Sequence, residues 1–134
     1  MKKIKKFKIK AHTKQSGTLI PLSFNNRFPI KVKRIFFIHG SKNKIRGKHA
    51  HKKCSQYFIP IHGKILLRIK TLDYKKNILL NHKIRTSVLV PPKYWCEIKF
   101  LSKNSIIMVA CDMYYDPKDY LSNFKKYKEH LNNL

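Results

Sequence analysis

Two histidines separated by a single residue are the part of this sequence best suited to proton transfer. His49 and His51 end the segment RGKHAH at residues 46–51. If this segment is a β-strand, both side chains point to the same side, because residues i and i+2 of a strand share a face. An imidazole titrates near neutral pH, so a pair of them can take a proton from a carbon next to a carbonyl and return it elsewhere. The spacing therefore predicts keto-enol chemistry in one pocket, without a redox cofactor.

Several polar side chains and one tryptophan are candidates for binding the substrate of such a reaction. A guanidinium offers two aligned donors to a phosphate or to sugar oxygens, and the chain has only six acidic residues to pair with 31 basic ones. Trp95, the only tryptophan, can stack on a base or close a pocket, although a place in the core is the commoner role. The candidate binding residues are Arg34, Arg46, Gln56, Lys93, Trp95 and Glu97.

The spacing His-x-His-x4-Gln-x6-Gly, which begins at His49, resembles the first motif of the cupin superfamily. Cupins commonly bind a metal through these residues, but Gln56 stands where a glutamate is usual. The later segment at residues 91–97 has no histidine to complete a ligand set, and the lysines and arginines at residues 42–53 would repel a cation. We therefore expect a site without a metal.

The segments that must position these residues are short, β-rich stretches separated by turn residues. Strands are predicted at residues 7–11, 18–21, 31–39, 55–62, 64–72, 78–80, 87–90, 95–100 and 105–111. His62-Gly63 and residues 73–77 are predicted as hairpin connections. Closely spaced short strands with no helix among them are typical of an antiparallel sandwich or barrel.

The C-terminal segment has the pattern of a helix. Asp116 is a suitable N-cap and Pro117 a suitable first residue, and apolar side chains then recur at helical spacing at positions 121, 124, 127 and 131. We expect an amphipathic helix packed on the outside of the barrel. The predicted fold class is therefore all-β, a cupin-type antiparallel β-barrel (jelly roll) with a C-terminal amphipathic helix.

Length and composition are those of one folded domain. The 134 residues have a mass of 16.0 kDa and are 43% hydrophobic, so residues 1–134 are expected to form a single domain rather than a disordered chain. Cys54, Cys96 and Cys111 are widely spaced and odd in number, which fits a reducing cytoplasm better than a disulfide framework. No apolar stretch is long enough for a membrane span, and Lys8 and Lys10 interrupt any signal-peptide pattern.

The net charge of +25 suggests a different class of function, a basic nucleic-acid-binding β-barrel. Interleaved Phe, Tyr and Lys residues suit base stacking in a basic groove. However, only five of the 31 basic residues are arginine, and they are spread along the chain. This alternative also leaves the spacing of His49 and His51 unexplained, so nucleic acid is not the expected partner.

The chain as a whole resembles the dTDP-sugar 3,4-ketoisomerases, which act on dTDP-4-keto-6-deoxyglucose in the biosynthesis of 3-amino sugars. The most specific parts are the stretch RGKHAHK at residues 46–52 and the run YDPKDY at residues 115–120. The matching stretches, which occur in the order of the family, are residues 16–19, 28–38, 46–53, 94–97 and 110–120.

The resemblance implies roles for the residues and a reaction. His49 and His51 would be the acid/base pair: one removes the C3 proton of the 4-keto sugar to give an enediol, and a proton is then delivered to C4. A product of galacto configuration at C4 is favoured over gluco. The resemblance further implies a cytoplasmic homodimer that exchanges an N-terminal strand, here residues 7–11, and a role in deoxyamino sugars such as those of lipopolysaccharide.

Three departures from the family pattern fall near the expected site. Phe36-Phe37 replaces the common Tyr-Tyr, and Cys96 replaces the histidine after the tryptophan. Residues 14–17 read Lys-Gln-Ser-Gly, with Ser16, where the family has Asp-x-Arg-Gly. A second enzyme hypothesis is a cupin of the sugar 3,5-epimerase kind. Such an enzyme is longer and needs a catalytic tyrosine with a His–Asp dyad, which the sequence does not reveal.

Overall fold

Short segments of alternating apolar and polar residues form twelve β-strands in the computed structural model, which describes residues 1–134. The strands are β1 Lys5–Lys8, β2 His12–Lys14, β3 Gly17–Leu19, β4 Arg34–Gly40, β5 Ile45–His51, β6 Gln56–His62, β7 Lys64–Lys70, β8 Lys75–Asn81, β9 Thr86–Val90, β10 Trp95–Phe100, β11 Ser105–Cys111 and β12 Tyr120–Leu121. A single α-helix, α1, follows at Phe124–Asn132.

Ten of these strands form two five-stranded sheets in which every pair is antiparallel. The first sheet has the order β1-β9-β6-β11-β4 and the second the order β12-β5-β10-β7-β8, while β2 and β3 form a separate hairpin. Strands from distant parts of the chain are neighbours in both sheets, as in a jelly roll. The predicted fold class is confirmed.

The main core lies between the two sheets and follows from the alternation along each strand. In β7, Ile65, Leu67 and Ile69 are buried, whereas the residues between them are partly exposed. They pack with Phe58 of β6 and Phe100 of β10, both fully buried. Because apolar side chains alternate with polar ones along each strand, they fill the space between the two sheets along most of its length.

The C-terminal prediction was partly wrong. Asp116 and Pro117 begin a short 3-10 turn at Pro117–Asp119, not a helix, and the chain then extends as β12 to pair with β5. The α-helix begins later, after Asn123, whose side-chain oxygen accepts a hydrogen bond from the Lys126 amide. Pairing with the edge of the sheet thus outweighs the helical spacing of the residues before position 124.

The helix packs on the outer side of the second sheet, as expected. Tyr127 is fully buried against Ala50, Trp95 and Leu121. Its hydroxyl donates to the Lys93 carbonyl at 2.7 Å, which ties the helix to the loop before β10. With nine residues and a polar outer face, α1 lacks the length and apolar character that a membrane-spanning helix requires.

The strand prediction missed three strands, β2, β5 and β12, and shifted a fourth. The first strand lies at Lys5–Lys8 rather than at residues 7–11, and the short strand β2 was not predicted. The most relevant omission is β5, which carries both histidines and was absent from the set of β-rich stretches. The hairpin at His62-Gly63 is confirmed, with Gly63 at φ +85° between β6 and β7.

Candidate functional site

A β-bulge in β5 orients the functional side chains of that strand. Arg46 pairs with Ile98 of β10 and His49 pairs with Cys96, so two residues of β5 oppose the single residue Glu97. Because of this extra residue, Arg46 and His49 lie on the same face although they are three positions apart. Gly47 occupies the bulge at φ +92°, a conformation that favours glycine.

A cavity of about 400 Å³ opens beside this face of β5. Its walls come from β4, β5, β6 and β10, and Tyr120 of β12 completes them. The lining residues are Arg34, Ile35, Phe36, Phe37, Ile38, Arg46, Gly47, His49, Gln56, Phe58, Cys96, Ile98 and Tyr120. Four of the predicted site residues, Arg34, Arg46, His49 and Gln56, are therefore brought together at one cavity.

His49 is half-buried at this cavity, and its tautomer is fixed by the backbone. Its Nδ1 lies 2.9 Å from the Gly47 carbonyl oxygen, which can only accept a hydrogen bond. The Nδ1–H is therefore the donor, and Nε2 of the neutral ring carries a free lone pair. His49 thus presents an acceptor nitrogen that can take up a proton.

His51 is buried and forms a pair with Asp119. Its Nδ1 donates to Asp119 Oδ2 at 2.8 Å, and its Nε2 is buried without any hydrogen-bond partner. The ring of His51 lies 5.1 Å from that of His49 and 4.4 Å from that of Tyr120, between centroids. The structure therefore contains the His–Asp dyad that the sequence did not reveal.

Asp119 is held in place by the backbone of the turn after β5. Its two carboxylate oxygens accept hydrogen bonds from the amides of Lys53 at 2.7 Å and Cys54 at 3.3 Å, and its side chain is nearly inaccessible to solvent. A buried carboxylate with three donors is a stable acceptor. It fixes the orientation of His51 and stabilises the imidazolium that forms when His51 takes a proton.

Burial lowers the pKa of both histidines below the ordinary value of 6.5. For His49, the hydrogen bond to the Gly47 carbonyl opposes this effect in part. For His51, Asp119 opposes it, while the neighbouring His49 and Arg34 add to it. Both rings are therefore neutral at pH 7 and able to act as bases.

Arg34 and Tyr120 connect the cavity wall to the histidines. Arg34 Nη2 donates to the Tyr120 hydroxyl at 3.4 Å, and the guanidinium lies over the rings of Phe36 and Tyr115. The ring of Tyr120 lies 5.0 Å from that of His49, between centroids. Tyr120 was not among the predicted site residues, but the structure places it in the wall of the cavity.

The other three predicted binding residues lie elsewhere. Trp95 is buried under α1, and its indole nitrogen donates to Glu97 Oε2 at 3.1 Å. Glu97 Oε1 also lies 3.8 Å from Arg68 Nη1, on the outer face of the second sheet. Lys93 lies in the loop before β10, where its amide donates to the His51 carbonyl. The structure does not bring Lys93, Trp95 or Glu97 to the cavity.

Two of the three sequence departures do face the cavity. Phe36 and Cys96 are among its lining residues, so an expected hydroxyl and the expected imidazole are replaced there by an apolar ring and a buried thiol. Phe37, the next residue of β4, borders the cavity but lies on the outer face of the first sheet, where it is 57% exposed. Ser16 lies in the exposed turn between β2 and β3. The cavity wall is consequently more apolar than the family pattern suggests.

One group of side chains has the composition of a metal site. The ligand atoms of His51, Cys54 and Asp119 lie within 4.8 Å of one another. However, Asp119 already accepts hydrogen bonds from His51 Nδ1 and from the Cys54 amide, so these atoms satisfy each other without a cation. The arrangement fits a His–Asp pair better than a metal site.

Comparison with known proteins shows the family of this chain. Residues 2–132 match the family described as "FdtA: WxcM-like, C-terminal". The TDP-4-oxo-6-deoxy-alpha-D-glucose-3,4-oxoisomerase of Aneurinibacillus thermoaerophilus is 31% identical over 120 residues, which cover 87% of this chain and 86% of that protein.

Solved structures of similar proteins cover almost the whole chain. The sugar 3,4-ketoisomerase QdtA of Thermoanaerobacterium thermosaccharolyticum, solved in complex with TDP, is 28% identical, with a TM-score of 0.88 over 97% of this chain and 95% of that one. WlaRA of Campylobacter jejuni, a TDP-fucose-3,4-ketoisomerase, is 28% identical, with a TM-score of 0.84 over 98% and 97% of the two chains. WlaRB of the same organism, a TDP-quinovose 3,4-ketoisomerase, is 26% identical, with a TM-score of 0.84 over 96% and 99%. Given these matches, the chain belongs to the dTDP-sugar 3,4-ketoisomerase family.

Proposed function

We propose that this protein converts dTDP-4-keto-6-deoxyglucose into a dTDP-3-keto-6-deoxyhexose. The observation that carries this proposal is the pair of neutral imidazoles, His49 and His51, each with its Nδ1 engaged and its Nε2 free. Relatives that align over nearly their full lengths are named for this reaction. The 3-keto group of the product is suited to amination, in keeping with 3-amino sugar biosynthesis.

The reaction requires one proton to leave C3 and one to reach C4. The C3–H bond breaks, its electrons form the C3=C4 double bond, and O4 gains a proton to give the enediol. O3 then loses its proton as the C3 carbonyl forms, and C4 gains a proton. No electron is exchanged with a cofactor, because oxidation at C3 is balanced by reduction at C4.

His51 is proposed as the base that takes the C3 proton, with His49 as its partner in acid/base transfer. Asp119 supports this assignment, because its carboxylate stabilises the imidazolium that forms at His51. His49 lies at the cavity, where its Nε2 can exchange a proton with the second carbon or with an enediol oxygen. The Tyr120 hydroxyl lies close enough to the two rings to take part in positioning the sugar oxygens.

Arg34, Arg46 and Gln56 are proposed to bind the diphosphate and the sugar. Both guanidinium groups line the cavity, and no acidic side chain lines it with them. Guanidinium groups without a carboxylate partner suit the two negative charges of a nucleotide diphosphate. Lys93, Trp95 and Glu97 receive no support from their positions and are left out of this proposal.

The configuration at C4 depends on which face of the enediol receives the proton. We propose the galacto product, with support from the likeness to WlaRA, which is named for a sugar of galacto configuration. WlaRB, named for the gluco counterpart, is almost as similar. The proton couplings of H4 in the product distinguish the two outcomes directly.

We also propose that residues 1–134 form a single domain that acts in the cytoplasm as a homodimer. The outer face of the first sheet supports the dimer: Phe37 pairs with Met108 there and is 57% exposed, and Phe24 is 53% exposed beside Phe28. Strand β1 pairs with β9 along four residues, a pairing that two copies can exchange without loss. Light scattering of a chain that lacks residues 1–10 is expected to show weaker dimers.

The three free cysteines support the proposed cytoplasmic location, because thiols stay reduced in that compartment.

The direct test is to follow the purified protein with dTDP-4-keto-6-deoxyglucose by proton NMR. The wild-type protein is expected to give a 3-keto product, and His49→Asn and His51→Asn are expected to lower kcat by about 10²-fold or more. His39→Asn, an exposed position at the far end of β4, is the matched control and should retain the wild-type rate. Unchanged rates in both site variants would refute the proposal.

A further inference from the structure

The thiols of Cys54 and Cys111 lie close to each other beside the cavity, and the proposed reaction uses neither of them. Cys111 ends β11 and Cys54 precedes β6, and both are buried. The register of these strands sets Cys111 opposite Gln56, so Cys54 is its diagonal neighbour on the same face. Both thiols belong to the same buried cluster and lie close enough to affect each other's pKa, while the Cys54 thiol donates to the Ser55 carbonyl at 3.3 Å.

The backbone around this thiol pair, Cys54 and Cys111, is fixed on both sides. The Ser55 amide donates to Asp112 Oδ1 at 2.8 Å, and the Asp112 amide donates to the Ser55 carbonyl at 3.4 Å. Ser55 follows one cysteine and Asp112 follows the other. The two chain segments are therefore held side by side, with both cysteines on the same face.

Cys111 has the surroundings of a thiolate. Its sulfur accepts hydrogen bonds from Arg34 Nη2 at 3.5 Å and from Gln56 Nε2 at 3.8 Å. The Cys54 thiol and the Arg34 guanidinium lower the pKa of Cys111 in spite of its burial. Conversely, contact with Cys111 and burial raise the pKa of Cys54, which remains the protonated partner.

The cavity gives a small oxidant a route to this sulfur. Arg34 and Gln56 line the cavity on one side and contact the Cys111 sulfur on the other. Hydrogen peroxide is similar in size to a water molecule and needs only a small movement of these side chains to reach it. Bulky thiol reagents do not fit this route, because Cys111 is fully buried.

We propose that Cys54 and Cys111 are a reversible oxidation site that closes to an intramolecular disulfide in the presence of a peroxide. The Cys111 thiolate attacks one peroxide oxygen, the O–O bond breaks, and the departing hydroxide takes up a proton to leave as water. The resulting sulfenic acid is attacked by the Cys54 sulfur, which loses its proton, and the S–O bond breaks to release a second water. The two sulfurs lose two electrons in total, and the peroxide gains them.

Disulfide formation would act on both parts of the proposed catalytic site. It removes the negative sulfur that accepts from Arg34 and thus changes the position of a cavity-lining guanidinium. It also pulls on Cys54, whose amide donates to the carboxylate that orients His51. Oxidation is therefore expected to lower the isomerase activity, and a dithiol reductant is expected to restore it.

Cys96 serves as an internal comparison. It is fully buried, and burial raises its pKa to about 12. Its sulfur donates only to the Tyr94 carbonyl, at 3.8 Å, and no cationic group contacts it. Cys96 is therefore expected to stay reduced under conditions that oxidise the thiol pair.

The test is intact-mass measurement and peptide mapping of the wild-type protein after treatment with hydrogen peroxide. The expected result is the loss of two hydrogen atoms and a linked peptide containing Cys54 and Cys111, both reversed by dithiothreitol. A Cys96→Ser variant should show the same loss. These readouts do not depend on the proposed reaction, so they separate a failure of this inference from a failure of the isomerase assignment.

Two variants distinguish the roles of the partners. In Cys54→Ser, Cys111 is expected to gain oxygen atoms without forming a link, whereas in Cys111→Ser, Cys54 is expected to stay reduced. A wild-type protein that keeps all three thiols, or that links Cys96 instead, would overturn the proposal. An oxidised protein with the 54–111 link and full isomerase activity would overturn the proposed effect on Arg34 and Asp119.

Discussion

At the scale of single residues, the site depends on two imidazoles that are kept neutral and held in one tautomer. A backbone carbonyl fixes His49 and a buried carboxylate fixes His51, so that each ring presents Nε2 as its free nitrogen. The difference between the two partners is chemically important. Only Asp119 carries a negative charge that favours protonation of its histidine. We therefore assign His51, and not His49, as the base that takes the C3 proton.

Replacement of Asp119 by Asn tests this role. The amide lacks the charge that stabilises the His51 imidazolium, so kcat is expected to fall by roughly 10²- to 10⁴-fold. The hydrogen bonds from the Lys53 and Cys54 amides also weaken, and stability is expected to drop by about 1–3 kcal/mol. Steady-state kinetics and thermal unfolding measure the two effects.

Asp73→Asn is the matched control for this substitution, since it removes the same charge from the exposed turn between β7 and β8. It should leave kcat within about twofold of the wild type, as expected for a surface position. If Asp119→Asn loses stability but keeps its kcat, Asp119 is a structural anchor and not a positioning residue for His51.

The direction of the histidine pKa shifts predicts the acid side of the pH profile. Because burial lowers both pKa values, kcat/KM is expected to stay level as the pH falls to 6.5 and to decline only below it, when the rings become protonated. A decline that begins above pH 6.5 would contradict neutral, buried imidazoles.

The same shifts link stability to pH. Below pH 6.5 the unfolded chain binds protons at these positions more readily than the folded one. The free energy of unfolding is therefore expected to fall as the pH drops from 6.5 through the lowered pKa values of the folded protein. Urea unfolding over this range measures the effect, and the double variant His49→Asn/His51→Asn should show a smaller decline.

At the scale of elements, the bulge in β5 decides which side chains meet at the cavity. Gly47 adopts φ +92°, and a Cβ at this position would lie 3.3 Å from the Cys96 carbonyl oxygen. Gly47→Ala is expected to cost about 1–3 kcal/mol in stability and to shift Arg46 relative to His49. KM is therefore expected to rise.

Gly17→Ala is the control for backbone strain alone. Gly17 also has a positive φ, but a Cβ at this position would meet no other atom within 4 Å. Denaturant unfolding of both variants gives the two costs. An equal loss of stability in the two, with an unchanged KM for Gly47→Ala, would show that the bulge does not position the site.

The sequence predicted the pairing of His49 and His51 because period two is a local property of a strand. It also predicted an antiparallel β-barrel with an outer C-terminal helix, although it placed the start of that helix too early. It did not reveal Asp119, which is 68 positions from His51 and meets it only because β12 pairs with β5. No local spacing reports such a contact. Tyr120, the neighbour of Asp119 in the chain, escaped notice for the same reason.

The misplacement of Trp95 and Glu97 had a different cause. In β10, Cys96 and Ile98 line the cavity, so the residues that alternate with them must face the other way. Alternation along this strand was sufficient to exclude Trp95 and Glu97 from the cavity.

At the scale of the whole molecule, the charge of +25 is almost entirely unpaired. The two ion pairs of the structure are His51–Asp119 and Arg68–Glu97, and only the second joins permanently charged groups. Such a surface creates a positive field that attracts a dianionic substrate. It accounts for substrate capture and does not require a nucleic-acid partner.

This field predicts a dependence on salt. Between low ionic strength and roughly 0.5 M salt, kcat/KM is expected to fall by about tenfold, because salt screens the attraction between separated charges. The kcat is expected to change little, since it reports on substrate that is already bound, to which long-range attraction no longer contributes. A kcat/KM that is insensitive to salt would show that the net charge plays no part in capture.

The central claim is that one proton leaves C3 and one arrives at C4, and the reaction in D2O followed by NMR tests it most directly. The wild-type protein is expected to give a 3-keto product whose C5 hydrogen remains protium, with any solvent deuterium confined to C4 of the product or to C3 of the recovered substrate. His51→Asn is expected to abolish both product formation and exchange at C3. Deuterium at C5, or a product that keeps its carbonyl at C4, would contradict the account and indicate epimerase chemistry instead.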